Sequence, residues 1–270
     1  YLKGIHYKLL LGERYFARED AVHYELAIKT FEEALSIFKS QLAENGKWES
    51  FSESERKHLA EDIAESYLKL ARALVLTDRS TFALEVIKEG GDFIKRYKEL
   101  LGGERALSEY LLPLITEEAQ VIRGFTGPEK ALAFLEENEL LAESAEELLK
   151  KEEKKEKIAA ALAGFYGMKG HFKNDLGLFD EALPLLERAE EFARLSNDFR
   201  VIDQVVGNRA VTLNRKGDCE GALKLFEELL REERENNYHP GEANTLINLI
   251  GVLRRRGEEE DLIRAEEIAK

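Results

Sequence analysis

Apolar residues recur at three- and four-residue spacing along almost the whole chain, and no alternating stretch of any length interrupts them. That is the period of one helix face, so the pattern predicts helix after helix and no sheet. Proline stands only at Pro113, Pro128, Pro184 and Pro240. Glycine-bearing breaks fall at Asn45-Gly46, Gly102-Gly103, Thr126-Gly127-Pro128, Gly177, Gly217 and Gly257. Pro128 just inside a helix start, and Ser52 three residues ahead of Glu55, are helix-start signals. The run KKEEKKEK, 150–157, reads as a solvated helical face.

The pattern also repeats. Shifted by 40 residues, Gly167, Asn174, Gly177, Ala182, Leu183, Leu185 and Glu187 fall on Gly207, Asn214, Gly217, Ala222, Leu223, Leu225 and Glu227. A second shift takes Asn208, Leu213, Arg215, Gly217 and Glu220 to Asn248, Leu253, Arg255, Gly257 and Glu260. Such a period implies stacked supersecondary units. Each unit reads as a helical hairpin. In GNRAVTLNRKGDCEGALKLFEEL, 207–229, one helix runs to about Lys216, Gly217-Asp218 turns the chain, and a second helix begins near Glu220. Ala222 and Phe226 then share a face of that second helix. The alanine lets the two helices approach, and the larger residue one turn on fills the space between them. The same pairing recurs as Ala27/Phe31, Ala83/Ile87, Ala131/Leu135 and Ala182/Leu186.

These features resemble the tetratricopeptide repeat (TPR) family. The fullest match is VGNRAVTLNRKGDCEGALKLFEEL, through Ala210, Gly217-Asp218, Ala222 and Phe226. A second, YGMKGHFKNDLGLFDEALPLLERA, matches through Tyr166, Gly170, Gly177, Ala182, Leu186 and Ala189. LINLIGVLRRRG keeps Leu249 and Gly257, with extra residues before Ala265, and ESYLKLARALVLTDRSTFALEVIKEG matches through Tyr67, Leu70, Ala71, Ala83, Ile87 and Gly90. The resemblance implies an all-α, right-handed α-solenoid of about six antiparallel hairpins. It implies one superhelical domain over 1–270, with irregular long repeats in 1–150 and regular ones in 158–270. The units run nearer 40 to 56 residues than the family's 34, as in sensor and adaptor members.

The chain has 270 residues and a net charge of -14, which offers no basic footprint for nucleic acid. Its single cysteine, Cys219, excludes an intramolecular disulfide and fits a reducing cytoplasm. No apolar run approaches the ~20 residues of a membrane span, and no signal peptide is visible. Charged residues make up 35% of the chain and glutamine occurs only at Gln41, Gln120 and Gln204, a composition of thermophiles. Tyr1 as first residue suggests a piece of a longer chain.

Stacked hairpins bind ligands on the face lined by their first helices. In the best-matched unit the apolar ridge is Val206, Ala210 and Leu213, which leaves a stripe of Gln204, Gly207, Asn208, Val211, Asn214 and Arg215. The next unit offers Asn244, Ile247, Asn248, Gly251, Arg254 and Arg255, and the preceding one Gly164, Gly167, Met168, His171 and Asn174. Weaker alignment extends the stripe to Gln120 and Arg123, then Lys69 and Arg72. Glu65, Glu117 and Asp175 are its acidic exceptions. The stripe is amide-rich and basic on an acidic chain. An amide both donates and accepts, and arginine adds charge-assisted bonds to carboxylates. In TPR peptide binders such side chains hold a peptide's main chain or terminal carboxylate, which the resemblance assigns to Asn208 with Arg215 and Asn248 with Arg255. The bland alternative is that Arg254, Arg255 and Arg256 meet the negative end of their helix and that Asn174 and Asn214 serve turns.

The chain shows no H-E-x-x-H, Gly-rich phosphate loop, G-x-S-x-G or clustered metal set, so no metal, cofactor or catalytic centre is expected. Cys219 has no histidine near it in sequence, and Trp48 fits either a packing anchor or a contact residue. The reading is a non-enzymatic module that holds a peptide or protein segment. The alternatives are a ligand-sensing regulatory domain of a larger signal-transduction ATPase or transcription regulator, and a scaffold acting through its acidic outer face. Homo-oligomerisation is left open.

Overall fold

The computed structural model describes residues 2–18, 20–43 and 47–268, and the Asn45-Gly46 break lies outside them. No strand occurs among the described residues, and no helix there is long and apolar enough to cross a membrane. The chain divides into two compact units, Tyr1–Leu148 and Leu149–Lys270.

The first unit holds α1 (Leu2–Phe16), α2 (Ala21–Ile37), α3 (Glu53–Leu76), α4 (Ser80–Arg96), the single turn α5 (Glu104–Ala106), α6 (Leu112–Thr126), α7 (Pro128–Glu137) and α8 (Glu139–Leu149). Helix α1 packs on α2, α3 on α4 and α6 on α7, and α3 also meets α1 and α6. Ser52 caps α3 through a reciprocal box with Glu55, as its spacing predicts. The unit departs from regular hairpins at a 3₁₀ turn over Lys47–Ser50 and a π-helical stretch over Leu107–Leu111. Trp48 is a packing anchor. It is buried and meets Phe38 and Tyr97 edge-on, with ring centroids 5.4 Å away in each case.

The second unit holds α9 (Glu156–Asp175), α10 (Phe179–Ser196), α11 (Phe199–Lys216), α12 (Cys219–Glu235), α13 (His239–Arg256) and α14 (Glu259–Ile268). They pair as α9/α10, α11/α12 and α13/α14, and α11 also packs against α9 and α13. Asp198 and Asp218 cap α11 and α12 by accepting from the amides of Arg200 and Gly221. Gly217 ends α11 at φ 105°, a left-handed conformation that costs a residue with a Cβ but not glycine. Gly177 and Gly257 occupy the same place after α9 and α13.

All five alanine–large pairs are buried, from Ala27/Phe31 to Ala222/Phe226. Burying each large partner stabilises its hairpin by about 1.5–3 kcal/mol. The close approach is visible at Gly170, where a Cβ would lie 2.7 Å from Leu186 Cγ. The KKEEKKEK run corrects one expectation. Helix α8 stops at Leu149 and α9 starts at Glu156, so most of the run is a non-helical connection. Between Leu149 and Ile158 there is no apolar side chain to bury, and tertiary packing rather than propensity sustains most helices.

Candidate functional site

The first helices of the second unit, α9, α11 and α13, lie side by side because α11 packs on both neighbours. Their apolar ridges turn inward: Val206 and Ala210 on α11, and Leu249 and Leu253 on α13, are all buried. On α11 this leaves Gln204 exposed and Asn208 half-buried, and on α13 Asn244 exposed and Asn248 half-buried. Among the described residues none of these four side chains has a hydrogen-bond partner, although Asn208 and Asn248 have lost part of their water. Space stands open beside them. A Cβ at Gly251 or Gly164 would meet nothing within 4 Å, and one at Gly207 only Leu229 Cδ2 at 3.9 Å. Ile247 is 67% exposed next to Asn248, and Met168 and Val211 are half-buried.

Arg215 and Arg255, in the basic part of the stripe, are engaged within the protein. Arg215 Nη1 lies 3.7 Å from Asp175 Oδ1, and its guanidinium sits 5.5 Å over the Phe179 ring. Asp175 also lies 3.8 Å from His171 Nε2. One hairpin further on, Arg255 Nη1 donates to the main-chain carbonyl of Asn214. Lys216 pairs with Asp180 at 2.6 Å, and this bond raises the lysine above its ordinary range. Arg254 is exposed and forms no ion pair among the described residues. In the first unit Lys69 pairs with Glu13 and Glu65, and Arg72 with Glu117 at 3.7 Å. Burial raises the Glu117 carboxyl, with Arg72 opposing.

No family model matches the chain, and no curated protein matches it in sequence. Solved structures do. A Rap protein in complex with competence and sporulation factor superposes with a TM-score of 0.69 at 18% identity, over 98% of this chain and 63% of that one. BtubC from P. vanneervenii gives 0.59 at 19% identity, over 96% of this chain and 91% of that one. The TPR-like repeats of a putative kinesin light chain from Podosopora anserina give 0.50 at 16%, over 88% and 98%. The fold is TPR-type. The chain spans 63% of the length of the Rap protein it matches.

Within the TPR-type hairpins two expected stripe residues point elsewhere. Asn174 is only 3% exposed, and its Oδ1 has no partner. It lies in the last turn of α9. Gly167 is buried as well. A Cβ there would touch Val205 Cγ2 at 3.5 Å, so it is a packing glycine between α9 and α11. Asn214 is half-buried and takes the helix-end role. Cys219 Sγ lies 3.9 Å from its Oδ1, and its carbonyl receives Arg255. Arg215 and Arg255 join repeats, as described above.

Two polar joints had no signal in the sequence. Glu190 binds Arg209 and Arg194, and Arg194 reaches Glu232 at 3.5 Å, which ties α10, α11 and α12 together. Glu233 is fully buried and accepts from Thr245 Oγ1 at 2.7 Å, while its Oε2 has no partner. No group of three or more His, Cys, Asp or Glu side chains able to hold a metal ion occurs among the described residues.

Proposed function

We propose that the chain is a protein-binding module that holds an extended peptide or protein segment against α11 and α13. The observation that carries this reading is the set of amides Gln204, Asn208, Asn244 and Asn248, which lack partners beside glycines with open space. Each amide can donate to a ligand carbonyl and accept from a ligand N–H, so a row of them suits a main chain rather than one side chain. The open space at Gly207 and Gly251 lets that main chain come close. Ile247 supplies apolar contact beside it. Because Arg215 and Arg255 are bound to the preceding repeat, main-chain recognition dominates over capture of a terminal carboxylate. The Rap protein of the same fold, solved with competence and sporulation factor, supports a ligand-holding role.

The test is affinity capture from the source lysate with the native chain and with a double variant carrying Asn208→Ala and Asn248→Ala. Circular dichroism first establishes that both fold. The captured segment is then synthesised and titrated by calorimetry. Binding to the native chain that weakens at least tenfold in the variant supports the reading. Equal affinity for both moves the binding surface off the stripe.

A further inference from the structure

Glu233 is fully buried in α12, and Thr245 is buried beside it in α13. Thr245 Oγ1 donates to Glu233 Oε1 at 2.7 Å, and Glu233 Oε2 has no partner. Such a pair is a poor device for stability alone. The unmatched oxygen costs free energy, whereas two apolar side chains of the same shape are often neutral or stabilising in its place. What apolar side chains lack is direction. Leu249, Val252 and Leu253, buried further along α13, make non-directional contacts, but a hydrogen bond weakens steeply as its angle closes.

The short connection from α12 to α13, residues 236–238, fixes where α13 begins and leaves its rotation about its own axis to packing. Two contacts set that rotation. On the α12 side it is the bond from Thr245 to Glu233. On the α11 side Gly241, one turn before Thr245, stands so close that a Cβ there would lie 2.7 Å from Asp203 Oδ1. Both contacts lie level with the amide stripe, because Asp203 directly precedes Gln204 and Thr245 directly follows Asn244. At 3.6 residues per turn, Asn244 and Asn248 stand about 100° and about 60° from Thr245, in the same sense around the axis. Side chains reach about 5–6 Å from a helix axis, so turning α13 by about 30° would carry each amide about 3 Å, the length of a hydrogen bond.

We propose that Glu233 and Thr245 are positioning residues that hold the α13 amides, Asn244 and Asn248, in register with Gln204 and Asn208 on α11. The proposal rests on the reading that these amides bind a segment. Glu233 and Thr245 act through the amides, by setting the row before a segment arrives.

The first measurement needs no segment. Backbone dipolar couplings of the whole, weakly aligned chain oscillate along each helix, and the phase of the oscillation reports how that helix is turned about its axis. They are measured for α11 and α13 in the native chain, in Glu233→Gln, and in Glu233→Met with Thr245→Val. Glu233→Gln retains an acceptor for Thr245 and should keep the native phase. The double variant should unfold at a urea midpoint no lower than native, while the phase of α13 relative to α11 shifts by about 30° or more. Calorimetry with the synthetic segment that the native chain captures should then show at least tenfold weaker binding by the double variant and native binding by Glu233→Gln. Glu233→Leu with Thr245→Val takes its place should the first double variant unfold. A folded double variant with the native phase overturns the proposal, because apolar packing then sets the rotation by itself. Loss of stability in both double variants overturns it too, because the pair then serves stability. A shifted phase with unchanged affinity counts instead against the segment-binding reading, so the two failures are told apart.

Discussion

Arg215 lies 3.7 Å from Asp175, its counterpart one hairpin earlier, and the pair closes a joint between neighbouring repeats. Arg255 makes the next joint by donating to the carbonyl of Asn214. Both arginines are largely exposed, so each joint is weak by itself. Arg215→Ala should lower the stability of the second unit by about 0–1 kcal/mol, and Arg255→Ala by about 0.5–1.5 kcal/mol. The carbonyl that Arg255 binds belongs to the peptide group leading into Arg215, so the two effects should couple rather than simply add. Urea titration of the single and double variants measures this. No loss in the double variant would show that the joints are ornamental contacts of mobile side chains.

Asn208 and Asn248 have no partner to lose in the free protein. Replacing both with alanine should therefore leave the melting temperature close to native while removing ligand hydrogen bonds worth about 1 kcal/mol each. At about 1.4 kcal/mol per tenfold change, affinity should fall at least tenfold. Calorimetry and a thermal melt on the same samples separate the two effects.

Two glycines should respond in opposite ways. Gly170→Ala would push a Cβ to within 2.7 Å of Leu186 Cγ and 3.3 Å of the Ala182 carbonyl, and should cost about 1–3 kcal/mol. Gly251→Ala meets nothing within 4 Å on a helix interior, and should stabilise α13 by about 0.5–1 kcal/mol. The same methyl group would stand where a ligand main chain is to approach. Gly251→Ala should therefore melt later and bind more weakly, a combination that a purely structural glycine would not give.

Arg256 donates to both carboxylate oxygens of Asp261 and thereby ties α13 to α14. This bond holds the Asp261 carboxyl below its ordinary range. A folded-state value below the unfolded one gives stability that is complete above the ordinary aspartate range and lost as pH falls through the depressed value. The protection of the α14 amides, taken relative to their intrinsic exchange rate at each pH, should fall on acidification through that window. Asp261→Asn should show lower protection at neutral pH and little further loss of it there.

Glu233 depends on Thr245, whose hydroxyl donates to it in a fully buried setting. Thr245→Val keeps the shape and removes the donor. It should destabilise the second unit by about 1–3 kcal/mol, read from chemical denaturation.

The hairpins were legible because their determinants are local and repeated. Ala222 with Phe226, the Gly217 turn and the Asp218 cap each lie within a few residues, and the same chemistry returns at Ala182, Gly177 and Gly257. The direction of individual polar side chains was less legible. Asn174 and Asn208 both fall on the stripe by spacing, but packing buries one and leaves the other half-open. That outcome depends on a neighbouring helix, not on the period. The arginine joints and the link from Glu190 to Arg209 unite residues far apart in the chain, with no motif to announce them. The 150–157 run misled for a related reason: charge is compatible with a helical face, but a face also needs an apolar opposite side.

The joints at Arg215 and Arg255 bear on how such a chain grows. The α11/α12 hairpin carries its own backward-reaching arginine, and it offers a carbonyl at Asn214 to the arginine that follows. A duplicated copy of this block would meet the Arg215 of its predecessor at the place where Asp175 now stands. Its arginine would have to turn to the Asn214 carbonyl, as Arg255 does, or wait for an acidic residue to appear there. Lengthening the second unit by one hairpin is in this sense limited by where its acceptors stand.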